Sequence, residues 1–162
     1  MISYQNSKQI LKRGIIKIKD EKIKSINSLS RVVSANIYSN INYPSGDNAA
    51  FDGFAINSND TKDIKKHSNQ QFKIIGSIAA GMKPFKKRIH KFDAVEIMTG
   101  GIIPKGFNTI IPIEQILFYP SKNNQKYILV NQKIQKHNHV RFKGSDYKKN
   151  ELVVKRNTII QS

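Results

Sequence analysis

Three acids and one hydroxyl in this sequence stand in settings suited to ion chemistry. Pro44 to Ala55 reads PSGDNAAFDGFA and packs Pro44, Gly46 and Gly53 around Asp47 and Asp52, with Phe51, Phe54 and Ala55 around and after the second acid. Glycine gives up the most backbone freedom on folding, and a carboxylate beside an apolar wall loses hydration, so such a stretch costs free energy to form. It reads as a tight turn that aims Asp52 at a ligand and then enters a buried strand, Gly53 to Ile56. A surface turn in which Asp47 serves only as a side-chain cap fits the same residue types. Further along, Thr99-Gly100-Gly101 ends the apolar run Ala94 to Met98. Two glycines there let consecutive N–H groups point one way as an anion nest, with the Thr99 hydroxyl as an added donor or acceptor; a plain turn is the alternative. Asp146 follows Gly144 and precedes Lys148 and Lys149. It either caps a turn or joins a polyanion and metal site, since a carboxylate is a hard ligand for Mg²⁺.

Other combinations carry less. Gly76 and Gly81 have the separation of a phosphate-binding loop, but Met82 stands where lysine must follow, and Pro84 blocks the helix that should come next. Small residues in GSIAAG suit close backbone packing instead. His137 and His139 would face one side of a strand as metal ligands do, yet no third ligand is evident and a solvated pair is the simpler reading.

The elements that must position these groups are mostly short strands. A helix is expected over Ser3 to Arg13, stopped by Gly14, followed by an exposed strand in the Ile/Lys alternation IIKIKDEKIKSI. Asn27 or Ser28 is expected to cap a second short helix through Leu29, Val32 and Val33, after which SANIYS runs extended. NSNDTKDIKKHSNQQ reads as a loop before a strand at Phe72 to Ile75. Strands then follow at Ala94 to Met98, Thr109 to Ile113, Glu114 to Tyr119, Lys126 to Val130 and from Ile134 onward.

The chain has 162 residues, enough for one ordinary domain or two small ones. Its 28 Lys and Arg against 11 Asp and Glu give a net charge of +17. Such a balance raises a basic nucleic-acid-binding module as one function class, with Tyr4, Tyr38, Tyr119 and Tyr147 as stacking rings. The excess is mostly Lys, evenly spread and accompanied by Ile and Asn, and no recognisable nucleic-acid motif supports that reading; nucleic acid is not the expected partner. The chain contains no Cys, which excludes disulfides and thiolate metal sites and fits a cytoplasmic location. No apolar run reaches membrane-spanning length, and the N-terminus lacks the apolar core of a signal peptide.

Taken in order, PSGDNAAFDGFAI, GSIAAG, EIMTGGIIPKGFNTIIPIEQ and VRFKGSDYKKNEL resemble the N-terminal region of the MoeA family, the molybdopterin molybdenumtransferases that include the C-terminal part of gephyrin. The family patterns are close to PxxDNSAMDGYAV, IMTGAPLPxGADAVVxxE and VRxxGEDxxxGE. Each is weak alone, while their order and spacing together are specific. The resemblance implies insertion of molybdate into adenylylated molybdopterin with release of AMP, assisted by Mg²⁺. Matched position by position, Asp52, Thr99 and Asp146 take the family's functional positions. Asp52 and Asp146 would organise the cation, while Gly100, Gly101, Asp47, Asn48 and Arg141 would bind the anionic substrate. The chain departs from the pattern at Ala49, Phe51, Phe54, Ser145 and Asn150. Two hydroxyls are lost beside Asp52 while packing volume is kept.

The resemblance and the strand-rich pattern together imply an α+β fold with β dominant. A discontinuous first domain is expected over 1–43 and 140–162, and a β-rich insert over 44–139 carries the site. Family members continue into a molybdopterin-binding α/β domain and a small β-barrel domain. The chain therefore resembles half a site, completed in a homodimer or by a partner chain and inactive alone. A dimerisation scaffold with a decayed site is the non-catalytic alternative.

Overall fold

The computed structural model describes residues 2–14, 18–65, 68–82 and 85–161, with the backbone alone described at Gln125. In chain order the elements are α1 (Tyr4–Arg13), β1 (Ile37–Tyr38), β2 (Asn48–Ala49), β3 (Gly53–Ile56), β4 (Gln70–Ile78), β5 (Asp93–Ile97), β6 (Thr109–Pro112), β7 (Leu117–Ser121), β8 (Asn124–Val130), β9 (Val140–Arg141) and β10 (Leu152–Val154). Short 3-10 turns occupy Ser25–Asn27, Ser58–Thr61 and Ile113–Gln115. Strand is the dominant state, as the sequence implies.

The chain divides into two units, Met1–Ile37 with Leu152–Ser162, and Tyr38–Glu151. These boundaries lie outside the expected ones. Residues 38–43 and 140–151 belong with the insert because they bond to each other and to the Pro44 turn. Asn150 N–H donates to Ser39 O at 2.7 Å, Tyr43 N–H to Tyr147 O at 2.7 Å and Gly144 N–H to Pro44 O at 2.9 Å.

In the smaller unit, Ser3 caps α1 by accepting the Asn6 N–H at 3.2 Å, and Gly14 closes it by donating to Ile10 O. No residue of α1 is buried. The exposed strand expected after it is not formed over Ile18–Lys24; its first residues, Ile15 to Lys17, lie outside the described residues. The second expected helix is also absent. Ser30 has φ of 62°, and the segment instead forms a ladder with the C-terminal residues, with Ser30 N–H donating to Ile160 O and Val33 N–H to Thr158 O. Those long-range bonds satisfy the backbone groups that a helix would have used internally. Val33 is this unit's buried apolar side chain among the described residues.

The larger unit is built on a six-stranded sheet of order β6-β3-β5-β4-β8-β7. All neighbours are antiparallel except β4 and β5, whose parallel pairing requires the crossover 79–92. Strand alternation sends Phe54, Ile56, Ala94 and Ile111 to one face, where they pack with Phe72, Ile116, Ile128 and Val130. Ala55, Val95, Ile97 and Ile110 go to the other face with Ala49, Ile78 and Phe107. Both faces of the central strands are therefore covered, which is why β3 is buried at all four positions. Gly53 is required here by a close approach: a Cβ would lie 2.0 Å from Ile111 O on the adjacent strand. The edge strands β6 and β7 each contain a proline, Pro112 and Pro120, and β7 carries a register shift between Tyr119 and Pro120.

The segment from Glu114 begins as a 3-10 turn, and the strand starts at Leu117. From Ile134 onward the expected strand is replaced by turns, with His137 at φ 70° and His139 at φ 54°. Thr109 Oγ1 and Ile110 N–H of β6 draw this segment in by bonding Gln135 O and Asn138 O.

Candidate functional site

Asp52 and Thr99 meet at one end of the six-stranded sheet. β3 and β5 are antiparallel with Gly53 opposite Ile97, so the residue before β3 lies beside the residues after β5. Asp52 Oδ1 accepts the Thr99 N–H at 2.6 Å and the Thr99 Oγ1 hydroxyl at 2.7 Å. These two bonds, the hydroxyl's first, hold the Asp52 carboxyl below its ordinary pKa, against a smaller opposing effect of desolvation. Asp52 Oδ2 accepts no hydrogen bond among the described residues, and both side chains are exposed. The two residues given the central roles are thus brought together, and one carboxylate oxygen faces solvent ionised. Phe51 stands next to this carboxylate, edge-on to the His139 ring with centroids 4.9 Å apart.

The anion nest expected at Thr99-Gly100-Gly101 is not available. Thr99 N–H is spent on Asp52, Gly100 N–H donates to Ala49 O at 2.9 Å, and Gly101 N–H to Met98 O at 2.8 Å. Gly100 has φ of 81°, so the glycines serve to turn the chain into contact with β2. The plain-turn alternative describes this tripeptide, and its N–H donors fix the scaffold.

Asp47 likewise behaves as a cap. Its Oδ1 accepts the Lys143 N–H at 2.8 Å and its carbonyl accepts the Ile103 N–H at 2.9 Å. Asn48 is 8% exposed, and its Oδ1 is buried with no hydrogen-bond partner among the described residues. Arg141 and Asp146, expected to bind an anion and a cation respectively, pair with one another through Arg141 Nη2 and Asp146 Oδ2, and Ser145 Oγ donates to Asp146 Oδ1 at 3.2 Å. Asp146 is neutralised in place by the guanidinium.

β2 connects the two groups. Asn48 pairs with Arg141 on one side and bridges Ile102 on the other, while Ala49 N–H donates to Gly101 O at 3.0 Å. Motifs far apart in sequence therefore flank a single dipeptide. No composition or spacing signal reveals these partners, because each bond joins backbone of one motif to a side chain or carbonyl of another. The histidines do not form a metal pair: His139 packs on Phe51 and His137 lies edge-on to Phe142 at 5.0 Å. Among the described residues no group of three or more His, Asp or Glu side chains could hold a metal ion. The free Oδ2 of Asp52 is a hard oxygen donor of the kind Mg²⁺ takes, whereas Asp146 is tied to Arg141 and is not free to share a cation with it.

Comparison with known proteins agrees with these motifs. The model of the MoeA N-terminal region (domain I and II) matches residues 2–162. The molybdopterin molybdenumtransferase of Bacillus subtilis (strain 168) is 27% identical over 132 residues, covering 82% of this chain and 30% of that protein. Its namesake from Staphylococcus epidermidis strain RP62A is 31% identical over 110 residues, covering 68% of this chain and 26% of the relative. A crystal structure of a molybdopterin biosynthesis MoeA protein from Pyrococcus horikoshii OT3 superposes with a TM-score of 0.82 at 28% identity, covering 99% of this chain and 41% of the other. The chain thus spans less than half the length of these relatives. With its paired Asp52 and Thr99, its β-dominant insert and a match running through nearly every residue, the chain belongs to the MoeA N-terminal region family.

Proposed function

We propose that this chain acts in molybdenum cofactor biosynthesis, as the domain I and II part of a molybdopterin molybdenumtransferase that inserts molybdate into adenylylated molybdopterin and releases AMP. The Asp52–Thr99 pair carries the reading: a carboxylate kept ionised by two donors, with one oxygen open to solvent, at the end of a rigid sheet. Asp52 is suited to orient a cation, and Thr99 to fix the carboxylate's rotamer so that Oδ2 stays presented. Bound there, Mg²⁺ would supply positive charge against the phosphoanhydride oxygens as their bond to AMP breaks. Asp146 is a positioning residue on this reading, holding the Arg141 guanidinium through Nη2 and leaving its other N–H donors for an anion. The molybdopterin-binding α/β domain comes from a further domain or a partner chain, with a homodimer as the simplest assembly and the cytoplasm as the compartment. No helix among the described residues is long and apolar enough to cross a membrane.

Reconstitution tests this. The chain is mixed with a separately produced molybdopterin-binding α/β domain, adenylylated molybdopterin, molybdate and Mg²⁺, and AMP release is measured. Release requires both proteins, and Asp52→Asn lowers it by roughly a hundredfold, in the range of losing one positioned charge at a reacting centre. AMP release by the chain alone, or an Asp52→Asn variant as active as the parent, would contradict the proposal; the second result is what a non-catalytic scaffold gives.

A further inference from the structure

At the other end of the same sheet, away from Asp52 and Thr99, three loops line an open surface cleft of about 680 Å³. Its walls are Asn57 and Asp60 behind the C-terminal end of β3, the stretch from Lys87 to Lys91 that leads into β5, and Lys105 with Gly106 ahead of β6. β3 separates it from the Asp52 end, since Asp52 precedes that strand and Asn57 follows it.

Its charge is not a sample of the chain's general excess. Four of the nine wall residues are Lys or Arg, whereas the whole chain has 28 in 162, and Asp60 is the one acid facing them. That acid is engaged, with Oδ2 accepting the Phe92 N–H at 3.0 Å. The His90 N–H is tied to Asp93 Oδ2 at 2.7 Å, so two carboxylates pin the crossover that forms the basic wall. Two of the cations are occupied: Lys87 Nζ donates to Ile75 O at 2.6 Å, and Lys91 lies over the Phe92 ring at 4.8 Å. Arg88 and Lys105, from different loops, have no hydrogen-bond or ion-pair partner among the described residues.

We propose that this cleft is a second binding site, for a phosphate-bearing small molecule, with Arg88 supplying a bidentate fork and Lys105 a point charge from a different loop. The volume is that of a small-molecule site, and the walls carry no Phe, Tyr or Trp, with His90 as their one aromatic ring against four cations. Recognition therefore centres on the phosphate group, either of inorganic diphosphate or of a nucleotide. The site is independent of the Asp52 chemistry and stands whether or not the reaction proposed above is correct.

The test is NMR titration of the ¹⁵N-labelled chain with pyrophosphate at about 150 mM KCl, where long-range attraction between exposed charges is screened within about 8 Å. Saturable shifts grouped at Asn57, Arg88, His90, Lys105 and Gly106 are expected, and the paired substitution Arg88→Ala with Lys105→Ala weakens binding at least about tenfold, equivalent to about 1.4 kcal/mol. Lys8→Ala with Lys12→Ala on α1 leaves it unchanged. Displacement of pyrophosphate by AMP identifies a nucleotide phosphate as the ligand, and its failure identifies inorganic diphosphate; either supports the site. Shifts that rise without saturating, that spread over lysines throughout the chain, or that centre on Asp52 and Thr99 would overturn it, as would a double variant that binds like the parent. The location of the shifts in the unsubstituted chain decides the matter even if that variant loses its fold.

Discussion

Replacing Gly53 by alanine should cost far more than adding one methyl group suggests. The new Cβ would sit 2.0 Å from Ile111 O and 2.9 Å from Pro112 Cα, and both neighbours are backbone that cannot rotate away. Ordinary contact begins near 3.4 Å, so β6 has to withdraw from β3 by more than an ångström. That movement stretches a ladder of four residue pairs, from Gly53↔Pro112 to Ile56↔Thr109, and loosens Ile110 and Ile111, which are 1% and 4% exposed and lie in the two cores on opposite faces. Overpacking of this kind costs about 3 kcal/mol. For a chain of this size that corresponds to a fall in Tm of roughly 10 °C. Gly46→Ala is the matched control, because its Cβ would meet only the Ile102 side chain, at 3.3 Å. Its effect should stay within about 0.5 kcal/mol. Urea unfolding followed by far-UV circular dichroism, with amide exchange at β6, measures both variants. A Gly53→Ala chain within about 1 kcal/mol of the parent, with β6 amides still protected, would refute the assignment of this glycine to strand packing.

Two further substitutions separate the roles of the other motif residues. Thr99→Val removes the hydroxyl and keeps the N–H, so the Asp52 carboxyl rises toward the ordinary aspartate value of about 3.9 without fully reaching it. Because Asp52 is lowered in the folded chain, its contribution is complete above that ordinary value and is lost as pH falls through the lowered one. A carboxyl ¹³C titration in which Thr99→Val leaves Asp52 unmoved would show that the hydroxyl bond is not the main cause. Asp47→Ala leaves the Lys143 N–H without its acceptor and should cost about 1 kcal/mol, the worth of a capping bond, read by urea unfolding. An Asp47→Ala chain that also lost cation binding at Asp52 would mean that Asp47 does more than cap.

The strands were legible where burial and alternation agree. Gly53–Ile56 is legible because both faces of β3 are covered and glycine and aspartate mark its start. α1 was legible from its caps, which are local. The helix expected through Leu29, Val32 and Val33 does not form because the backbone partners of this segment are Thr158 and Ile160, more than a hundred residues away, and helical spacing of apolar residues says nothing about such a ladder. The same limit applied at the site. Asp52 and Thr99 could be singled out by residue type, but whether the Gly100 and Gly101 N–H groups were free depended on β2 arriving beside them. Asp146 could be read as a ligand only until Arg141 was placed on the neighbouring strand. The basic cleft left no trace in the sequence, since its walls come from three loops and its two free cations from different ones.

The margins of the six-stranded sheet bear on edge-to-edge pairing in this isoleucine-rich chain. On one side β6 ends in Pro112, which has no N–H to offer, and its Ile110 N–H is already taken by Asn138 O at 3.0 Å. On the other, Pro120 interrupts β7 at the point where the pairing slips. An incoming strand finds an incomplete row of donors at either margin, so edge-to-edge growth into fibrils is disfavoured, and the lysine-rich surface adds repulsion between copies.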